Sequence, residues 1–77
     1  MIDSSRITEK MDVVGTDGKH VGRVDHVKDG EIELSMFDLQ AMGKHHMIPL
    51  SWVEYVDDKV HLSMDRSEAE LRWSKAN

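Results

Sequence analysis

Two Asp-Gly pairs, Asp17-Gly18 and Asp29-Gly30, constrain this chain more than any other feature. Asp-Gly between alternating apolar segments is the strongest short-range hairpin signal, because these residues reach the positive φ of a tight turn with little strain. The flanks here alternate as strands should. Met11 and Val13 bracket Asp12, which gives a first strand over 11–14. A second strand covers 20–28. The third, over 31–36, sets Ile32 and Leu34 on one face and Glu31, Glu33 and Ser35 on the other. Two hairpins in a meander follow.

The second strand departs from simple alternation. Val21, Val24 and Val27 recur every third residue, and a flat strand cannot put all three on one face. A bulge at Gly22 accounts for this, since an extra residue re-aims the side chains after it. Bent strands of this kind turn the corners of small barrels. Farther on, a fourth strand over 45–48 ends at Pro49, which cannot donate to a ladder. Residues 50–53 form a single helical turn. A last hairpin, 54–56 and 59–64, closes around Asp57-Asp58, with Val60, Leu62 and Met64 alternating against His61 and Ser63.

From Asp65 the period changes to that of a helix. Asp65 and Glu68 have the spacing of a capping box. Ala69 and Trp73 share one face, and Glu68 can pair with Arg72 on another. A helix over 65–75 is too short to stand alone in water, so Trp73 must anchor it to the barrel or to a second chain. The expected fold is all-β: about six short strands over 11–64 in a small bent barrel, then a C-terminal α-helix. Residues 1–77 make one domain, because so short a chain has no room for a second core.

Val14-Gly15-Thr16-Asp17-Gly18-Lys19-His20-Val21-Gly22-Arg23-Val24 resembles the opening hairpin of PRC-barrel domains, named for the photosynthetic reaction centre. Ile48-Pro49-Leu50-Ser51-Trp52-Val53 followed by Val60-His61-Leu62 is similar to that family's second half. His45-His46-Met47-Ile48-Pro49 brings the chain nearest a group of short bacterial proteins described only as a domain of unknown function. The likeness covers about residues 7–64. It implies a strongly bent barrel that serves as a docking surface, as in a reaction-centre subunit and in a ribosomal RNA maturation factor. It supplies no catalytic residues. One departure matters. The segment before the His-His pair is polar and glycine-rich in that group, whereas Met36, Phe37, Leu39 and Met42 make it apolar here.

Charge and composition narrow the partners. Fifteen acids against ten bases give a formal charge of -5, which opposes nucleic-acid and anionic-membrane binding. There is no cysteine, so thiol catalysis and cysteine-based metal sites are excluded. The N-terminus lacks the apolar run of a signal peptide, and a cytoplasmic protein without membrane insertion is expected. No nucleophile elbow of the Gly-x-Ser-x-Gly form occurs, and a barrel this small encloses only its own side chains, so the chain reads as no enzyme. Five histidines raise the question of metal. Adjacent His45 and His46 point to opposite strand faces and cannot chelate one ion together. One of the pair should hydrogen-bond near Pro49 while the other is solvated. No cofactor or metal site is expected.

Surface association remains. Phe37, Leu39, Met42, Trp52, Tyr55 and Trp73 exceed what so small a core needs, and aromatic residues and methionine are enriched at interface cores. Met36, Phe37, Leu39, Met42 and Trp73 form the expected interaction surface, for an unknown protein partner or a homodimer. Gly18, Gly22, Pro49 and Trp52 are the expected structural positions. Two other readings stand beside the interaction module: a histidine-based metal or pH-responsive binder, and an accessory to RNA or ribosome maturation.

Overall fold

The computed structural model describes residues 4–35 and 45–76. After a single 3-10 turn at Ser4–Arg6 come β1 (Asp12–Val14), β2 (His20–Lys28), β3 (Glu31–Leu34) and β4 (His45–Pro49). A 3-10 turn, Leu50–Trp52, leads into β5 (Val53–Val56) and β6 (Val60–Leu62). Helix α1 (Arg66–Arg72) and a short β7 (Ser74–Ala76) complete the chain. All the strands lie in one seven-stranded sheet of order β5-β6-β1-β2-β3-β4-β7. The described residues are thus mostly β, with six strands before a C-terminal helix and a seventh after it.

Both Asp-Gly turns are hairpin turns, built differently. Asp29 (φ 52) and Gly30 (φ 78) are both left-handed, the two-residue turn in which Lys28 pairs directly with Glu31. The β1–β2 loop is longer. Gly18 (φ 76) donates its N–H to Gly15 O (3.0 Å), and Gly15 donates to Lys19 O (3.0 Å).

The period-three valines have a physical cause. Strand β2 carries two register shifts, one that inserts Val21 against β1 and one that inserts Asp25 against β3. Each extra residue reverses which face the following side chains take. Val21 and Val24 are therefore buried and Val27 half-buried, all toward the core. The single bulge expected at Gly22 is in fact a pair, and Gly22 sits beside the first. A Cβ there would lie 3.0 Å from Leu34 Cδ1, so the absent side chain makes room for a core leucine.

The core lies on one face of the bent sheet, where Val13, Val24, Ile32, Leu34, Ile48, Val60 and Leu62 are essentially inaccessible. Burying each such side chain stabilises the fold by about 1.5–3 kcal/mol. Ile7 and Ala69 close the cluster from outside the sheet. Two ladders join distant segments. Strand β1 runs parallel to β6, pairing Val13 with Val60 and Val14 with His61, so the sheet is mixed. Strand β7 pairs antiparallel with β4. The expected closed barrel is not formed by these ladders: β5 and β7 are the two ends of the strand order.

Helix α1 begins as its sequence dictates. Asp65 is extended and its Oδ1 accepts the N–H of Glu68 at 2.8 Å. Arg72 Nε stands 3.5 Å from Glu68 Oε2. The helix ends sooner than the expected residue 75, at Arg72. Trp73 is already extended (φ -65, ψ 151), and the residues after it join β4, whose ladder satisfies backbone groups that another helical turn would leave at the surface. Gly15 explains the helix's position. A Cβ on it would lie 2.7 Å from Arg66 N and 2.9 Å from Asp65 C, so the turn after β1 packs directly on the helix start.

Candidate functional site

Strand β5 ends the sheet, and its sequence turns two consecutive side chains outward. Val53 pairs with Leu62 and Tyr55 with His61, so Glu54 is an extra residue in the ladder. Val53 is buried, while Glu54 and Tyr55 are both exposed. Tyr55 keeps 47% of its surface in solvent. Its ring stacks on that of His61, the cross-strand neighbour, with centroids 4.1 Å apart and planes at 10°. Stacking holds the aromatic face in one orientation without burying it.

His61 is held in turn by the tip of the β5–β6 hairpin. Its Nε2 lies 2.8 Å from Asp57 Oδ1, which also accepts the N–H of Lys59 at 2.8 Å. The Lys59 N–H, with His61 adding to it, holds the Asp57 carboxyl below its ordinary value of 3.8. Gly15, Thr16, Gly18, Glu54, Tyr55 and His61 line a shallow groove of about 360 Å³ beside this stack. Glu54, Asp57 and Asp58 outnumber Lys59 on this hairpin and leave it acidic on balance. The arrangement offers an oriented aromatic platform, a strand side that no described strand pairs with, and negative charge on balance.

A second constellation lies on the outer face of β2, β3 and β4. Asp25 is the residue that the second bulge inserts, and His26 beside it pairs across the ladder with Glu33. His26 Nε2 is 3.3 Å from Glu33 Oε1, and its Nδ1 is 3.8 Å from Asp25 Oδ2. His45 Nδ1 lies 3.9 Å from the same Asp25 oxygen and 3.0 Å from the carbonyl oxygen of Leu34. Asp25, Glu33 and His45 bring one ligand atom each within 4.8 Å of one another. These are the residues that could hold a metal ion. No sequence spacing announces the set, because it depends on a bulge and on two ladders.

The His-His pair does divide between faces, but otherwise than expected. His46, not solvated, is buried on the inner face (4% exposed) and stacks on Trp73 with centroids 3.9 Å apart. His45 faces outward and meets the Leu34 carbonyl, not the neighbourhood of Pro49. Trp73 is half-buried against the core and His46, so it anchors the end of α1 within its own chain.

Of the other expected positions, Met36, Phe37, Leu39 and Met42 lie outside the described residues. Gly18 makes the turn that a left-handed glycine allows. Pro49 is the last residue of β4, still paired with Glu31, so the ladder ends on it and not before it. Trp52 packs against the core, and its carbonyl oxygen accepts the N–H of Ser63 at 2.8 Å. Tyr55 was visible in the sequence only as one of several surplus aromatic residues. The bulge at Glu54 that exposes it left no local signal.

Among the described residues no helix is long and apolar enough to cross a membrane. Residues 7–70 match the model of a family described as uncharacterised protein conserved in bacteria, DUF2171, and the chain belongs to that family. No protein of curated function and no solved structure matches the chain significantly.

Proposed function

We propose that this member of the DUF2171 family is a non-catalytic docking module of PRC-barrel-like architecture, which receives an extended, basic segment of a partner protein along β5. The observation that carries the reading is the exposed Tyr55–His61 stack on a strand at the end of the sheet. An end strand presents a row of backbone donors and acceptors that a peptide can join by strand addition. An aromatic platform beside that row supplies affinity at little cost in side-chain entropy. Closure of the barrel through β5 would remove the row, so docking depends on the sheet staying open there.

Charge selects the occupant. Glu54, Asp57 and Asp58 surround the edge, and the whole chain carries a formal charge of -5. A second copy brings the same charge and is repelled, whereas lysine and arginine are attracted and steered. The test is a titration of isotope-labelled protein with a peptide of about six residues alternating valine and lysine, against a glutamate counterpart. Amide shifts along Val53–Val56 that weaken with salt are the expected result. Shifts that grow with protein concentration alone would assign the edge to a homodimer instead. No response at β5 to either peptide or concentration refutes the reading.

A further inference from the structure

We propose that Asp25, Glu33 and His45, with the Leu34 carbonyl, form a binding site for a first-row divalent cation, Zn²⁺ in preference to Mg²⁺. It is independent of the docking reading, because the β5 edge takes no part in it. Ligand bonds of about 2.0–2.2 Å place the ligand atoms of one ion roughly 3.0–3.6 Å apart. Here Asp25, Glu33 and His45 already offer one atom each within 4.8 Å. Small side-chain rotations on a fixed sheet bring them to that spacing. The Leu34 carbonyl oxygen, 3.0 Å from His45 Nδ1, already stands at the separation of two neighbouring ligands.

Charge makes the same demand. Two carboxylates face each other at this point, and His26 and His45 are the bases that pair with them. Histidine balances carboxylates only while protonated, and a deprotonated ring is a metal ligand instead. Without an ion, His45 keeps its proton on Nδ1 and donates a hydrogen bond to the Leu34 carbonyl oxygen. With one, the neutral ring carries its proton on Nε2, and the Nδ1 lone pair and the carbonyl oxygen both turn to the cation. No net proton is released from a ring that starts neutral. His26, 3.3 Å from Glu33, orients that carboxylate. One imidazole among oxygen ligands suits zinc or manganese, and magnesium gains nothing from the nitrogen.

The experiment is calorimetric titration of the full chain with ZnCl₂, paired with Mn²⁺ paramagnetic broadening of its amide signals. Binding in the micromolar range is expected. The Asp25→Asn and His45→Gln variants should each weaken it by at least about tenfold, while His61→Gln should change it less than about twofold. Broadening in the unaltered protein should begin at residues 25, 33, 34 and 45. That map decides the matter even if a variant loses its fold. The proposal is overturned by absence of heat and broadening up to about 1 mM metal. Broadening centred elsewhere, such as Asp57 and His61, overturns it equally, as does undiminished affinity in folded Asp25→Asn or His45→Gln.

Discussion

Gly15 and Gly22 are both buried glycines without positive φ, yet alanine at the two should have different consequences. At Gly22 the new methyl group meets Leu34 Cδ1 at 3.0 Å, with its other contacts at 3.4 Å, all to the end of a flexible side chain. Leu34 can yield by a few tenths of an ångström. The overpacking cost of about 1 kcal/mol is then largely offset by the roughly 0.4–1 kcal/mol that losing a glycine removes from unfolded-chain entropy. Gly22→Ala should lie within about 1 kcal/mol of the parent. At Gly15 the methyl group meets Arg66 N at 2.7 Å and Asp65 C at 2.9 Å, both backbone atoms. Neither can move without shifting the start of α1, and with it the Asp65 cap. A net loss of about 2 kcal/mol follows for Gly15→Ala. A chain this short holds only about 3–5 kcal/mol in all. The melting temperature should therefore drop by about 8–16 °C. Urea and thermal unfolding followed by tryptophan fluorescence measure both variants. Equal losses, or a larger one at Gly22, would show that the loop is not packed rigidly on the helix start.

Asp65→Ala removes the acceptor for the Glu68 N–H and should cost about 1 kcal/mol, read as a lower urea midpoint. Trp73→Ala removes the stack on His46 and should cost about 2 kcal/mol, with loss of near-ultraviolet dichroism from the indole. For pH, the lowered pKa of folded Asp57 means that the unfolded chain takes up its proton more readily. The stabilisation from this carboxylate is thus complete above the unfolded pKa and lost as pH falls through the folded one. Below about pH 4 the urea midpoint of the parent should fall more steeply than that of Asp57→Asn. Parallel curves would mean that the Lys59 and His61 contacts do not favour the carboxylate.

What was legible in the sequence was written in local chemistry. Asp29-Gly30 specified a two-residue turn, Asp65 and Glu68 a helix start, and the valine spacing of β2 a bent strand. The six strands before the helix and the 3-10 turn after Pro49 followed from the same cues, although β3 stops at Leu34 instead of 36 and β6 covers Val60–Leu62 instead of 59–64. What escaped depends on pairings between distant segments. Nothing near Val13 announces Val60, and nothing near Arg72 announces that residues 74–76 will pair with β4. The acidic-histidine constellation needed both kinds of information. Asp25 faces Glu33 only because a bulge turns it, and His45 arrives only because β4 pairs with β3 in one register. Tyr55 escaped for a similar reason, since a bulge on its own strand decides its exposure.

The parallel ladder between β1 and β6 has a consequence for how the protein is made. Val13 is synthesised before its partner Val60, which follows 47 positions later. Until then β1 has only β2 beside it, and the meander of β1, β2 and β3 carries its valines, Ile32 and Leu34 without β6 to cover them. Such long-range pairing slows folding, because the chain must close a large loop before the contact rewards it. The nascent meander is therefore a sticky, incomplete sheet, and the arrival of residues 60–62 converts it into a protein.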